Sequence, residues 1–263
     1  MDQVGILGCG WLGTPLASAL IARGWPVRVS RTSVQGVADL KAKGFDSFQI
    51  LVTPNAIQGT LDFFNSLDQL IISLPPNRKA AVGFSEKIKK VVQFLESNTT
   101  CRILFLSSIS VYGQTGVFEE SSNVFPETES AIELVKSEKI LLKAREKVVV
   151  VRLGGLIGED RNPIFQFQEK PISNPKGIIN FIHQKDAIEG IIQLLNHSAL
   201  QGIYNLVSPH HPEREVYYKA MAKKYKLADP QFQGQDQIQK RWVNAFKIQK
   251  LTDFEYQVDN LLI

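Results

Sequence analysis

The chain has 263 residues, 44% hydrophobic and 21% charged, with a net charge of +4. It can bury a sizeable core and is long enough for one large α/β domain, or a nucleotide domain with a smaller appendage, but not for two full-sized domains. The densest basic patches, Lys87, Lys89, Lys90 and Lys219, Lys223, Lys224, fall at helical spacing among acidic residues and read as solvated faces, which argues against a nucleic-acid partner. Cys9 and Cys101 alone suggest neither a disulfide framework nor a metal site. With no apolar run near 18 residues and no signal segment before the first strand, a membrane association is not expected and a cytoplasmic protein is.

Residues 3–24 predict a strand, a tight turn and a helix. The apolar run Val4 to Leu7 leads into G-x-G-x-x-G at Gly8, Gly10 and Gly13, followed by a helical stripe of Leu12, Leu16 and Leu20. Gly8 allows the sharp turn, Gly10 lets the backbone approach a pyrophosphate, and Gly13 lets the helix pack close to the strand. Trp11 and Leu12 complete the turn at the helix N-terminus, where phosphates are favoured. Trp25 to Ser30 reads as the second strand. A fold that prefers NAD has an acid at its end, yet no acidic residue occurs between Asp2 and Asp39. Ser30, Arg31 and Thr32 stand there instead, a guanidinium and two hydroxyls suited to a 2′-phosphate, so NADP is favoured over NAD. The plainer reading of Arg31 is a surface cation at a strand end.

Phe45 to Leu51 reads as a third strand and Gln69 to Leu74 as a fourth, stopped by Pro75 and Pro76. Ser73, Leu74 and Pro75 are candidates to line a cofactor cleft beyond the strand ends; a plain turn is the alternative. Lys79 to Glu96 has a crossover-helix stripe of Ala81, Phe84, Ile88, Val91 and Leu95. Arg102 to Ser107 is a buried fifth strand that delivers Ser107 to Gly113 to the cleft. A helix from Ser130 to Arg145 leads to a sixth strand, Val148 to Leu153. This alternation predicts a Rossmann-type doubly wound parallel α/β sheet. Residues 159–180, with three prolines, suggest loops of a small substrate lobe. Ala187 to Asn196 and Glu213 to Lys226 return as helices, Gly202 to Val207 as a short strand, and the Gln-rich piece 231–239 as a loop; 239–263 has no clear signature. The expected division is a dinucleotide-binding domain over 1–158 and, over 159–263, late sheet elements with the substrate lobe.

Four ordered motifs now carry a likeness: Gly8-Cys-Gly-Trp-Leu-Gly13, Ser107-Ser-Ile-Ser-Val-Tyr-Gly113, Arg152-Leu-Gly-Gly-Leu-Ile-Gly158 and Phe181-Ile-His-Gln-Lys-Asp-Ala187. The chain resembles the NAD-dependent epimerase/dehydratase family of extended short-chain dehydrogenases/reductases, and most of all its atypical YeeZ-like subgroup. The resemblance implies that Ser108 steadies a substrate hydroxyl and that a Tyr-x-x-x-Lys motif follows. In that motif a tyrosine, its pKa lowered by a neighbouring ammonium and the cofactor, exchanges the proton. Lys136 matches the Lys, but Ile132 stands in place of the Tyr, and no Tyr lies between Tyr112 and Tyr204. Lys136 either holds the nicotinamide ribose or, with Lys139 and Lys143, is a solvated helix face. Tyr112 is the one nearby phenol able to substitute. His183 shapes the substrate side or is simply a buried histidine, and His210 and His211 lack the further ligands a metal needs.

The expectation is an NADP(H)-binding oxidoreductase or epimerase-type enzyme, monomeric or homodimeric, acting on a small polar molecule of the nucleotide- or sugar-linked kind. The alternative is a catalytically silent NADP-binding sensor or scaffold.

Overall fold

The computed structural model describes residues 2–76, 81–96, 100–234 and 240–262. Its first half contains β1 (Val4–Leu7), α1 (Gly13–Ala22), β2 (Val27–Arg31), α2 (Val34–Ala42), β3 (Asp46–Val52), β4 (Ile57–Gly59), β5 (Gln69–Ile72), α3 (Phe84–Phe94), β6 (Arg102–Ser108), β7 (Gly116–Phe118) and α4 (Glu129–Ala144). The second half contains β8 (Val148–Leu153), β9 (Gly155–Ile157), β10 (Ile172–Ser173), β11 (Phe181–His183), α5 (Gln184–Asn196), β12 (Gly202–Leu206), α6 (Arg214–Lys224), β13 (Phe232–Gln233), β14 (Arg241–Val243) and α7 (Phe246–Leu251). Eight strands form one sheet in the order β12-β8-β6-β5-β1-β2-β3-β4. All its pairings are parallel except that of β3 with β4.

The continuous apolar runs follow from burial on both faces. Successive side chains of a strand alternate sides, and Ile103, Phe105, Val148 and Val150 join one core, against α3 and α4, while Leu104, Leu106, Val149 and Val151 join the other. The second core also takes Leu16 and Leu20 of α1 and Ile191 and Leu195 of α5. The fold is thus the doubly wound parallel α/β sheet that the alternation predicts. A third cluster, including Ile164, Ile172, Tyr217, Met221 and Leu261, forms the core of a smaller lobe. Two short parallel pairs, β9 with β11 and β7 with β14, lie outside the main sheet and draw the late chain toward the carboxyl ends of β8 and β6.

Several elements were not readable. Helix α2 has one buried residue, Leu40, so its sequence lacks a strong apolar stripe. Strand β4 spans three residues and pairs at the sheet edge. The tail supplies β14 and α7, each too short for periodicity to register. Residues 79 and 80 of the predicted crossover helix and 235–239 of the Gln-rich piece lie outside the described residues. No helix among the described residues is long and apolar enough to cross a membrane.

Candidate dinucleotide and substrate site

The glycine turn begins where β1 and β5 end side by side. Gly8 has φ +94°, and a Cβ there would lie 2.9 Å from Leu74 Cδ2 and 3.0 Å from the Ser73 carbonyl oxygen. Left-handed backbone and close approach together require glycine. A Cβ on Gly13 would lie 3.2 Å from the Gly8 oxygen, which keeps α1 tight against the turn. At Gly10 the added atom would have no neighbour within 4 Å, so the turn's outer side is open space. Helix α1 starts there with no side-chain cap and no acid in its first turn, leaving its leading N–H groups for an anion. Those two observations fit the pyrophosphate of a dinucleotide. Leu12 is buried in the core and contributes only backbone to the turn.

Ser30, 1% exposed, braces the turn from β2. Its hydroxyl accepts the Gly8 N–H at 3.1 Å and donates to the Ile6 carbonyl at 3.4 Å, while its carbonyl accepts the Cys9 N–H at 2.8 Å. Arg31 follows, half-buried, with its Nε buried and unpartnered and no ion pair among the described residues. Thr32 is exposed, and its carbonyl accepts Gln49 Nε2 at 3.1 Å. On the other side of the turn, the Ser73 N–H donates to the Leu7 carbonyl at 2.9 Å, Leu74 packs half-buried on the core, and Pro75 is exposed.

Trp11 turns toward the late chain. Its Nε1 donates to Asp160 Oδ1 at 2.9 Å, the Arg161 guanidinium lies 4.9 Å from its ring centre, and Gln184 Nε2 donates to its carbonyl at 3.1 Å. A Cβ on Gly158 would lie 2.8 Å from Trp11 Cζ2, so the ring fits only because that residue is glycine. Nothing in the sequence near Asp160 and Arg161 announces this contact.

The end of β6 rests on a buried polar chain. Ser107 Oγ donates to Glu138 Oε1 at 2.5 Å; Glu138 pairs with Arg152 at 2.7 Å, both buried; Arg152 Nη1 donates to the Tyr112 hydroxyl at 2.9 Å. That hydroxyl lies 2.9 Å from Asn205 Oδ1 and 3.0 Å from the Glu119 carbonyl, either of which accepts its proton. Tyr112 is 1% exposed, and burial raises its pKa against the opposing pull of Arg152. Its phenol is therefore enclosed in the interior. Ser108 is half-buried; its Oγ accepts the Ser110 N–H at 3.1 Å and finds no acceptor for its own proton among the described residues.

Lys136, exposed on α4, donates to Glu133 Oε1 at 2.7 Å. Glu133 is 5% exposed and its other oxygen accepts both the N–H and the hydroxyl of Ser85, each at 2.8 Å. Burial pushes this carboxyl up, but the bonds from Lys136 and Ser85 outweigh it and hold it below its ordinary range. Ile132, one turn before Lys136, is 39% exposed and has no proton to exchange. His183 caps α5, its Nδ1 accepting the Lys185 N–H, and burial lowers its pKa. His210 Nδ1 accepts the Leu261 N–H at 2.9 Å. No group of three metal-ligating side chains occurs among the described residues.

A glycine turn, an open anion position at a helix N-terminus and a small lobe beside the carboxyl edge of a doubly wound sheet define a protein of Rossmann-type fold. No family model matches the sequence. The chain is 33% identical over 270 aligned positions to Protein YeeZ of Escherichia coli (strain K12), covering all of this chain and 98% of that one. In fold it is similar to the UDP-N-acetylglucosamine 4-epimerase of Bacillus cereus, with TM-score 0.78, 15% identity, and 100% and 98% of the two chains covered. It is also similar to the dTDP-glucose 4,6-dehydratase of Bacillus anthracis str. Ames solved with NAD, with TM-score 0.80, 12% identity, and 100% and 94% covered. The chain belongs to the NAD-dependent epimerase/dehydratase family of extended short-chain dehydrogenases/reductases, in its YeeZ-like subgroup.

Proposed function

We propose that the chain is an NADP(H)-dependent oxidoreductase or epimerase-type enzyme acting on a small polar substrate of the nucleotide- or sugar-linked kind. The observation that carries the reading is Arg31, whose buried Nε lacks a partner at the end of β2, where the adenosine ribose of a dinucleotide falls in this fold. An unpaired guanidinium with no acid beside it favours a 2′-phosphate over a bare 2′-hydroxyl. The Bacillus anthracis relative holds NAD, which supports the nicotinamide dinucleotide in general; the basic strand end argues for its phosphorylated form here.

In this reading the backbone of Gly8, Gly10, Trp11, Leu12 and Gly13 receives the pyrophosphate. Arg31 and Thr32 hold the 2′-phosphate, with Ser30 fixing the turn beneath, and Ser73, Leu74 and Pro75 line the cleft. A bound nicotinamide supplies the hydride donor or acceptor. Ser108 donates its free O–H to a substrate oxygen, and Ser107, through Glu138, fixes the strand end that presents Ser108. Lys136, steadied by Glu133, offers a cation to the nicotinamide ribose. Tyr112 holds Arg152 and Asn205 in place. The test is consumption of NADPH by the purified protein with a panel of sugar-linked and simple carbonyl compounds; turnover above background is expected. The specific observation that favours a second reading, an NADP-binding sensor or scaffold, is Ile132 at the tyrosine position, and a panel without turnover but with tight NADPH binding selects it.

A further inference from the structure

We infer that Glu120 and Lys247 guard the free edge of β12: their side chains stand in for one residue of a further strand and keep another copy of this chain from extending the sheet, whatever cofactor the protein binds. The eight-stranded sheet has two edges. At one, β4 pairs antiparallel over three residues and ends at Gly59 with φ +112°, too short and too bent to offer a partner much. At the other, β12 runs parallel to β8 over five residues, with no strand beyond it among the described residues. The Leu206 carbonyl accepts the Gly154 N–H at 3.0 Å, so residues 202, 204 and 206 turn their peptide groups toward β8, and 203 and 205 turn theirs outward.

Two of these outward groups are bonded to side chains. The Asn205 N–H donates to Glu120 Oε1 at 2.9 Å, and the Ile203 carbonyl accepts Lys247 Nζ at 2.6 Å. In a parallel ladder the residue opposite 204 bonds those same two atoms, giving its N–H to the Ile203 carbonyl and accepting the Asn205 N–H with its own carbonyl. The ammonium therefore replaces a strand's N–H and the carboxylate its C=O. Both side chains are held from behind. The Glu119 N–H donates to Ser122 Oγ at 2.9 Å, which fixes the turn carrying Glu120, and Asn205 Nδ2 donates at 2.8 Å to the carbonyl of Asn244, just before α7 and Lys247. Lys247 Nζ also lies 4.3 Å from the centre of the Tyr204 ring. Burial raises the Glu120 pKa against the pull of the Asn205 N–H and of Lys247, so the half-buried carboxylate carries a desolvation cost that its bond to the edge offsets.

Space for a strand lies alongside. A cavity of about 650 Å³ borders the edge, lined by Ile203, Glu120 and Lys247 together with the exposed side chains of Leu142, Phe246 and Leu251. An apolar margin beside an unpaired strand is the arrangement that leads to edge-to-edge association. The edge is also self-complementary: two copies of β12 related by a two-fold run antiparallel, and residue 203 of each then faces residue 205 of the other in hydrogen-bonding register. Such pairing requires both ions to leave their bonds first, and that requirement is what keeps the edge closed.

The test compares wild type, Glu120→Ala, Lys247→Met, the double variant and Glu120→Gln, all as the full chain, by sedimentation velocity over a dilution series and by amide exchange of residues 202–206. The double variant is expected to associate at concentrations about tenfold or more below those at which wild type does. When dilute, its Asn205 amide should exchange about tenfold faster than in wild type, because the acceptor is gone, and concentrating it should slow that exchange again. Each single variant is expected to fall between, and Glu120→Gln, which keeps an acceptor oxygen, to match wild type. Should the double variant fail to fold, the single variants carry the same two readouts, since each removes one bond and Lys247→Met keeps an apolar stem over Tyr204. Folded variants that associate no more readily than wild type, that associate without slower exchange at 202–206, or that exchange Asn205 as slowly as wild type when dilute overturn the inference.

Discussion

The glycine turn after β1 and the end of β6 sit at one edge of the same sheet with β5 between them, yet they are built differently. The turn is backbone: Gly8, Gly10 and Gly13 fall within six residues of sequence, and a Cβ would crowd Ser73 and Leu74 at Gly8 and the Gly8 carbonyl at Gly13. The β6 end is side chains drawn from four places, Ser107 on β6, Glu138 on α4, Arg152 on β8 and Asn205 on β12, with Tyr112 closing the chain. A backbone site tolerates no side chain where the main chain closes on itself, whereas in the side-chain site each polar group is met by one from a different element.

The largest expected effect is at the turn. Gly10→Val puts a side chain into the open space and abolishes binding of both NADPH and NADH, with the circular-dichroism spectrum unchanged because no protein atom lies within 4 Å of the new Cβ. A folded variant binding at wild-type affinity moves the cofactor site elsewhere.

At the β6 end the reverse change is informative. Ile132→Tyr is expected to raise turnover with simple carbonyl substrates by about 10² to 10⁴, the usual worth of general acid/base help, since residue 132 is 39% exposed one turn from Lys136. In the wild type, Ser108→Ala should then cost more turnover than Lys136→Ala. Equal rates for wild type and Ile132→Tyr would mean that proton transfer is supplied from a different group.

The buried pair beneath gives a stability effect of similar size. Glu138→Ala leaves Arg152 charged and 3% exposed without its partner. Breaking a buried pair from one side typically costs about 3 to 5 kcal/mol, read as a lower denaturant midpoint. A loss below about 1 kcal/mol, the level of a surface pair, shows that Arg152 finds other compensation.

This contrast also explains what could be read from sequence. The alternating apolar runs announced both cores and the sheet, and the glycine spacing announced the turn, because each signal is local. Arg31 was visible because strand order fixes where β2 ends. Glu138 and Glu133 were not, since on an amphipathic helix an acid that pairs inward looks like one that faces water until β8 and α3 are in place. Asp160 and Arg161 reach Trp11 across about 150 residues, and only the fold brings them together.

A smaller effect separates the two cofactors at the turn's edge. Arg31→Ala is expected to weaken NADPH by about 1 to 3 kcal/mol, the range of a charge-assisted contact, and to leave NADH nearly unchanged. Equal losses for both dinucleotides in calorimetric titration assign Arg31 to the fold rather than to the 2′-phosphate.

The smallest effect expected is a pH dependence at α4. Hydrogen bonds from Lys136 and Ser85 hold the Glu133 carboxyl below its unfolded value despite burial. A depressed carboxylate contributes stability that is fully present above its unfolded pKa and is lost as pH falls through the folded one. The wild type should therefore lose stability on the acid side of about pH 4.3, the ordinary glutamate value. Glu133→Gln keeps the volume and a hydrogen-bonding oxygen for Ser85 but has no charge to titrate, so its denaturant midpoint should fall less steeply as pH drops below about 4.3. Lys136→Met removes one of the bonds that depress the pKa and should show an intermediate slope. If all three proteins lose stability in parallel, the carboxylate is not what ties α3 to α4, and Lys136 is then a solvated cation with no part in positioning the helix beside Ser108.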